Sequence, residues 1–405
     1  MSKKSYPAAS KELKLSIPNQ ISDDLLYEIF IHLPVETLLR FKSVCKTWLA
    51  LISSPCFVKS HLATAAASDD QIHIAHSYDY DNHNDTYFVL IDVVSRETAD
   101  YLDLPFSMDK FPYMPNCIIF GSACGVVSVL CILNDDKYAP IIYLWNPATR
   151  LSKRIRSCDF KTKYEALALG FNYDSISNDF KVVTVVLPSY SAAVYSANTN
   201  VWRNINPNPI DFPVDCIFDV CVDGILCAAG SHGMIAFDLN AEVFNCGIKF
   251  PAPIFDESIT EFSFSDHHAT ITKYNASIAA IIRKRSDYDC KINLWSLDDE
   301  ACLRGGGICP SWTLRLNIIV NQPVQYVHGY FSEGDFLLVN SDDVWFLYNP
   351  NNEEADLCIR RAFLKSMGSH KSTGTLKKII LKMIMRNRFL DGCSESSYCD
   401  STGSL

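Results

Sequence analysis

Residues Ile21 to Leu62 read ISDDLLYEIFIHLPVETLLRFKSVCKTWLALISSPCFVKSHL, and their apolar residues recur at helical spacing. Leu25, Leu26, Ile29, Phe30 and Leu33 follow i, i+1, i+4, i+5 and i+8, which lines one face of a helix. Ser22 suits the N-cap, and Asp23 and Asp24 favour the positive end of the helix dipole. That helix should end near Leu33, because Pro34 suits the first turn of a second helix carrying Val35, Leu38, Leu39 and Phe41. Val44, Cys45, Trp48, Leu49 and Ile52 suggest a third. A three-helix unit of about 40 residues buries only part of its apolar surface by itself, so it normally needs a partner or a neighbouring domain.

Beyond the small-residue stretch Ala63 to Ser68 the period shifts from 3.6 toward 2. Short β-rich runs appear between turn residues: Tyr87 to Val94, Cys117 to Phe120, Val126 to Leu133, Ile141 to Trp145, Lys181 to Leu187, Ile278 to Ile282 and Phe336 to Val339. One feature repeats within them, an apolar or aromatic residue followed by Asp, Asn or Ser and then a turn. It occurs at Ile91-Asp92, Trp145-Asn146, Tyr195-Ser196, Phe237-Asp238, Trp295-Ser296 and Tyr348-Asn349, at spacings of 54, 50, 42, 58 and 53 residues. Six units of about 50 residues match a kelch-like period and four strands per unit, which predicts a six-bladed β-propeller. The double glycine of kelch repeats is missing, and a pair of Greek-key sandwiches is the alternative that regular strand spacing also allows. The expected fold class is therefore α+β multidomain: a disordered tail over 1–20, a helical domain over 21–65, an all-β domain over 70–365, and a terminal element over 366–405. In that last region Leu376 to Leu390, LKKIILKMIMRNRFL, reads as a basic amphipathic helix or docked strand, ahead of a Ser-rich tail.

The chain has 405 residues, with 36 Lys and Arg against 46 Asp and Glu and a formal charge of -10, which disfavours a nucleic-acid partner. No apolar run reaches the length of a membrane span, and MSKKSYPAASKELKLS is not followed by the apolar core of a secretory signal. A cytoplasmic or nuclear location is expected. Sixteen cysteines, among them Cys117, Cys131 and Cys227, are scattered through apolar runs without paired spacing, as free buried thiols in a reducing compartment would be.

Sites of chemistry are few. None of the hydrolase, metalloprotease or phosphate-loop motifs is present, no C-x-x-C pair suggests zinc, and no cofactor is implied. Gly305-Gly306-Gly307 reads as a flexible loop and His267-His268 as a solvated turn, since adjacent residues on a strand would point to opposite faces. Tyr195, Trp202, Trp295, Trp312 and Trp345 read as core rather than as a stacking platform. Asp174 to Asp179 reads as a hairpin turn with Asx hydrogen bonds, calcium binding being the sharper alternative. Asp79 to Asp85, Ser189 to Ala192 and Asp298 to Gly307 are candidate recognition loops by polarity and length.

Ile21 to Leu62 closely resembles the F-box, through Leu33-Pro34-Val35, Leu39-Arg40-Phe41-Lys42, Val44-Cys45-Lys46 and Trp48. Downstream, Gly121-Ser122-Ala123-Cys124-Gly125-Val126-Val127, Leu144-Trp145-Asn146-Pro147-Ala148-Thr149-Arg150, Gly170-Phe171-Asn172-Tyr173-Asp174-Ser175, Asn178-Asp179-Phe180-Lys181-Val182-Val183 and Val194-Tyr195-Ser196 through Trp202-Arg203 resemble the plant F-box-associated domain, type 1. The resemblance implies a non-catalytic substrate receptor of an SCF-type ubiquitin ligase. In such a protein the F-box docks on a Skp-type adaptor that leads to cullin and RING subunits, and the β domain recruits a protein target. It also implies adaptor-contacting or motif-core roles for Ile21, Leu25, Ile29, Leu33, Pro34, Leu38, Val44, Cys45 and Trp48, and the sequence does not divide interface from core among them. The family's opening Leu-Pro is here Ile21-Ser22, its Asn-Gly-Leu is Cys124-Gly125-Val126, and the segment after residue 360 departs from its final strand. The competing function is a propeller-based enzyme or small-ligand sensor using the central channel.

Overall fold

The computed structural model describes residues 22–67, 72–78, 86–92, 98–102, 116–132, 140–155, 166–187, 189, 191–206, 217–218, 220–230, 233–251, 267–275, 277–285, 289–305, 309–321, 324–330, 334, 336–340, 345–351, 354–356 and 381–383. The expected tail over 1–20 and the loop Asp79 to Asp85 lie outside them. The chain divides into two compact units, Met1–Thr64 and Ala65–Leu405.

Among the described residues four α-helices form where periodicity predicts three: α1 (Asp23–Phe30), α2 (Val35–Phe41), α3 (Lys46–Ser53) and α4 (Pro55–Ala67). Ser22 caps α1 as expected, its hydroxyl accepting the Leu25 amide at 3.3 Å. Pro34 stands at the N-cap of α2, one place before the first turn. The additional helix, α4, runs through the end of the expected helical domain into the small-residue stretch after it. Ser54 Oγ accepts the Phe57 amide at 3.2 Å, and Pro55 takes the first helical position, where no N–H is needed. The alanines of the small-residue stretch then prolong the helix, since alanine is the best helix former. Periodicity misses α4 because its apolar residues do not gather on one face.

The described residues of the β unit form six four-stranded sheets. The first holds β1 (Ile72–Tyr78), β2 (Thr86–Asp92) and β3 (Thr98–Leu102). The second is β4 (Asn116–Ala123), β5 (Val126–Ile132), β6 (Ile141–Asn146) and β7 (Leu151–Ile155), and the third is β8 (Ala166–Asp174), β9 (Asp179–Leu187), β10 (Ser191–Ser196) and β11 (Val201–Ile205). The fourth is β12 (Val220–Val222), β13 (Ile225–Ala229), β14 (Gly233–Asp238) and β15 (Val243–Lys249). The fifth is β16 (His267–Tyr274), β17 (Ser277–Arg285), β18 (Cys290–Leu297) and β19 (Trp312–Val320), and the sixth is β20 (Val324–Tyr330), β21 (Phe336–Asn340), β22 (Trp345–Asn349) and β23 (Glu354–Asp356). A last strand, β24 (Leu381–Met383), returns to the first sheet and pairs antiparallel with β1, Met383 opposite Ile72. Part of the expected terminal element is thus a docked strand.

The recurring apolar-polar pair falls at or one residue before the end of the third strand of each sheet. Its polar member builds the following turn. Asn146 Oδ1 accepts the Thr149 amide at 3.1 Å, Ser196 Oγ the Thr199 amide at 3.2 Å, Asp238 Oδ1 the Asn240 and Ala241 amides at 2.9 Å, and Asn349 Oδ1 the Asn351 amide at 2.9 Å. Four residues after the first three of these, Arg150, Asn200 and Glu242 take the left-handed conformation, each with φ 58°, that starts the outer strand.

Packing decides between propeller and sandwich. Strands of the middle sheets send alternate residues to opposite faces, and both faces are buried. Val182 packs against the second sheet in a cluster with Phe120, Leu144 and Phe171, while Val183 packs with Phe218, Leu226 and Phe237 of the fourth sheet and the segment before it. Ala280 and Ile282 face the fourth sheet, whereas Ala279 and Ile281 face the sixth. A two-layer sandwich leaves one face of each sheet in water, so stacked sheets with two dry faces are blades. At Gly121 on β4 an added Cβ would meet the Phe171 backbone oxygen and Cβ at 2.9 Å, and at Gly170 on β8 it would meet Val183 at 2.8 Å. At Gly121 β4 and β8 run too close for a side chain, and at Gly170 the space is filled by the Val183 and Leu226 side chains.

Candidate functional site

The helical unit has a complete core of its own. Phe30, Ile31, Leu38, Ile52 and Phe57 are buried, with Leu26, Tyr27, Leu33, Phe41, Trp48 and Leu51 packed against them. The Trp48 ring meets Phe30 edge-on at 4.9 Å and Phe41 at 5.1 Å, and Tyr27 meets Phe57 at 5.5 Å. Buried His61 on α4 lies with Nε2 2.9 Å from the Leu33 carbonyl, which ties α4 to the α1–α2 turn.

Against that core the nine sequence-derived positions separate. Leu38, at 2% exposure, is interior, and Leu33 and Trp48 are half-buried core neighbours. Leu25, Ile29 and Val44 stand 52%, 44% and 60% exposed, and Pro34 and Cys45 are exposed as well. Ile21 lies outside the described residues. Leu49, 45% exposed on α3, belongs with the exposed set but reads from periodicity only as a helix-face residue. Helix α1 is amphipathic in both directions: Phe30 faces inward while Leu25 and Ile29 present a second aliphatic edge to water. The Cys45 thiol caps α3, accepting the Trp48 amide at 3.5 Å, and so holds Val44 outside the helix. Half-exposed aliphatic side chains of this size gain on the order of 1 kcal/mol each when covered.

In the β unit, several of the residues that carried the family resemblance are buried and join neighbouring sheets. Lys181 is buried with its Nζ 3.1 Å from Asp174 and 3.1 Å from Glu242, and it donates to the Leu239 carbonyl at 2.6 Å, joining the third sheet to the fourth. Arg203 reaches Glu242 at 2.5 Å. Burial alone would raise the Asp174 carboxyl, yet hydrogen bonds from Ser177, Lys181 and the Ile176 amide, with the Lys181 charge, outweigh it and hold the group at about 2. The Asx turn is present, the Ile176 amide donating to Asp174 Oδ1 at 3.0 Å, and the Lys181 ammonium takes the place beside Asp174 where the calcium alternative needs its ion. Asp179 accepts the Ser196 hydroxyl at 2.5 Å and the Asn198 amide at 2.9 Å. Tyr195 is buried and donates to Asn200 at 2.6 Å, with Trp202 packed 5.3 Å away; Trp295 and Trp312 pack against the core between the fourth and fifth sheets. The Trp345 side chain lies outside the description.

Three expected loops and turns differ. His267 and His268 begin strand β16, opposite Lys284 and Arg283, because the strand starts earlier than its apolar residues signal. Ala192 is buried in β10, whereas Ser189 stays exposed and donates to the Val186 carbonyl at 3.2 Å. Within Asp298 to Gly307 the residues Glu300–Arg304 form a 3-10 helix. It buries Cys302 and Leu303, Asn245 donates to both of their carbonyls, and Arg304 reaches Asp238 at 3.2 Å and the Asp223 carbonyl at 2.9 Å. This insertion fastens two sheets together. Among the described residues no group of three or more His, Cys, Asp or Glu side chains is placed to hold a metal, and the described cysteines are free thiols. No described helix is long and apolar enough to cross a membrane.

A helical module with a core of its own, and with an aliphatic edge exposed among the described residues, thus stands on the same chain as a β-propeller. The chain belongs to the family of the F-box associated beta propeller domain, whose model matches residues 79–354 in its type-3 form, where the motifs alone suggest type 1; an F-box domain model matches residues 19–60. An F-box/kelch-repeat protein of Arabidopsis thaliana is 24% identical over 250 residues, 58% of this chain and 66% of that protein. An F-box protein of the same plant is 27% identical over 314 residues, 70% of each chain, and another is 23% identical over 321 residues, 74% of this chain and 91% of the relative. The chain thus spans about two thirds of the length of the first two. Similarity to solved structures is shallow. With a dihydro-heme d1 dehydrogenase, NirN, the TM-score is 0.32 at 10% identity, covering 71% of this chain and 72% of that one, which carries no argument about ligand or activity.

Proposed function

We propose that this protein is the non-catalytic substrate-recognition subunit of an SCF-type ubiquitin ligase, working in the cytoplasm, the nucleus or both. Its F-box helices dock on a Skp-type adaptor, and through it on cullin and RING subunits. The β unit, a propeller of four-stranded sheets whose first sheet is completed by β24, recruits a protein target for ubiquitination and proteasomal degradation. Its mechanism is proximity: holding a target lysine near a ubiquitin-loaded conjugating enzyme raises the effective concentration of the two reactants.

The observation that carries this reading is the division of labour within the helical unit. Leu38, Trp48 and their neighbours form a core, and Leu25, Ile29, Val44 and Leu49 lie outside it as exposed apolar surface. Such surface supports docking, since exposed aliphatic patches mark association sites. The test is co-purification of the full chain with a Skp-type adaptor. Leu25→Asp with Ile29→Asp should abolish recovery while leaving helical content and the melting of the chain unchanged. Replacing Leu33 and Pro34 by alanine should also weaken recovery, with some loss of stability because Leu33 is half-buried. Undiminished recovery of the adaptor by the double aspartate variant would overturn the assignment.

A further inference from the structure

Cys117 on β4 and Cys131 on β5 stand directly opposite each other in the hairpin register, and their sulfurs lie 3.3 Å apart. Both are fully buried, and nothing in the proposed docking role uses them. The tight turn of this hairpin, Cys124-Gly125, is at its other end, so the cysteine pair sits where the two strands would otherwise part. Strand β4 also touches β8 of the next sheet and β1 and β24 of the first, which makes its position matter to three sheets. A disulfide requires an S–S distance of about 2.05 Å between residues whose backbones already face each other. Closing from 3.3 Å takes a shift of roughly 1.3 Å, within reach of side-chain rotation with the register kept.

We propose that Cys117 and Cys131 are a redox-convertible pair, closed by oxidation into a cross-strand disulfide that staples the open end of the β4–β5 hairpin. With a peroxide as oxidant, one thiol becomes a sulfenic acid and releases water; the second thiol attacks that sulfur and releases a second water. Two sulfur-bound hydrogens are lost and the S–S bond forms. Burial, with the neighbouring Cys117 thiol, pushes Cys131 well above the ordinary thiol range, so the thiolate is scarce while the hairpin is shut. Oxidation is therefore gated by opening of the hairpin end.

The test uses the full chain and diamide, which takes both hydrogens as the hydrazine when two thiols close. After oxidation, remaining thiols are alkylated under denaturing conditions and peptides are mapped by mass spectrometry. The expected result is a Cys117–Cys131 cross-linked peptide two hydrogens lighter than the reduced pair, formed at a rate that levels off with rising diamide. The melting temperature should rise by several degrees and fall back on adding dithiothreitol, a shift absent from Cys131→Ala. The map on the unaltered chain stands even if that variant folds poorly. Recovery of Cys117 and Cys131 as separately alkylated peptides, after exposure longer than the hydrogen-exchange time of the β5 amides, would overturn the proposal. Cross-links from either one to another cysteine, or a rate that grows in proportion to diamide without limit, would overturn it too.

Discussion

Replacing Lys181 by methionine should reveal what holds the third sheet to the fourth. Methionine keeps the length of the aliphatic stem and removes the ammonium, leaving Asp174, Glu242 and the Leu239 carbonyl without the group that lies within 3.1 Å of each. Breaking one side of a buried ion pair costs about 3–5 kcal/mol. Glu242 keeps Arg203 at 2.5 Å, which places the expected loss near the lower end, about 3 kcal/mol. The pH dependence follows from Asp174. Its carboxyl is held at about 2 in the fold against an ordinary 3.8, so its contribution is present above about 3.8 and is lost as pH falls toward 2. Without Lys181 the burial that raises the group remains while two of the influences that lower it are gone, so the carboxyl moves up and the variant has less of this stability to lose as the pH falls. Urea titrations of wild type and variant at about pH 7 and about pH 2.5, followed by near-ultraviolet circular dichroism, measure both effects. The gap should be full at neutral pH and narrow in acid. A loss below about 1 kcal/mol at neutral pH, or a gap independent of pH, would show that the buried lysine does not hold these sheets together.

Two further outcomes can be measured. Trp48→Ala should lower the stability of the helical unit by about 3 kcal/mol, the low end for truncating an aromatic ring, because the indole is only partly covered; melting followed by helical signal reports it. Lost adaptor recovery without any change in melting would instead make that ring a contact. Deleting residues 366–405 removes β24 and uncovers the edge of β1 at Ile72, His73 and Ile74. Hydrogen exchange there should accelerate and the β unit should melt at lower temperature, whereas an unchanged exchange profile would mean that the first sheet is held without its returning strand.

Much of the architecture is legible because it is written in local chemistry. The apolar-polar pair ending each third strand can be counted along the chain since a turn needs an oxygen two or three residues before its amides, whatever lies around it. The Asx turn at Asp174 and the cap at Ser22 are legible for the same reason. Helix α4 is not, because its stability comes from Ser54, Pro55 and alanine propensity rather than from a one-sided apolar stripe. The insertion at Glu300–Arg304 looks like a loop because its anchors, Asn245, Asp238 and Asp223, lie 57 to 81 residues away in the chain.

The same limit governs the candidate site. Residue type and spacing alone mark Leu25, Ile29, Leu38, Val44 and Trp48 as apolar helix positions, and an interface and a core draw on the same aliphatic side chains. Periodicity establishes that a helical module precedes a β-rich region of repeated four-stranded units, since 3.6 and 2 are properties of the backbone. Which helix residues close the core and which stay in water, and that the sheets are buried on both faces, depend on contacts between distant segments, and those exist only once the chain has packed.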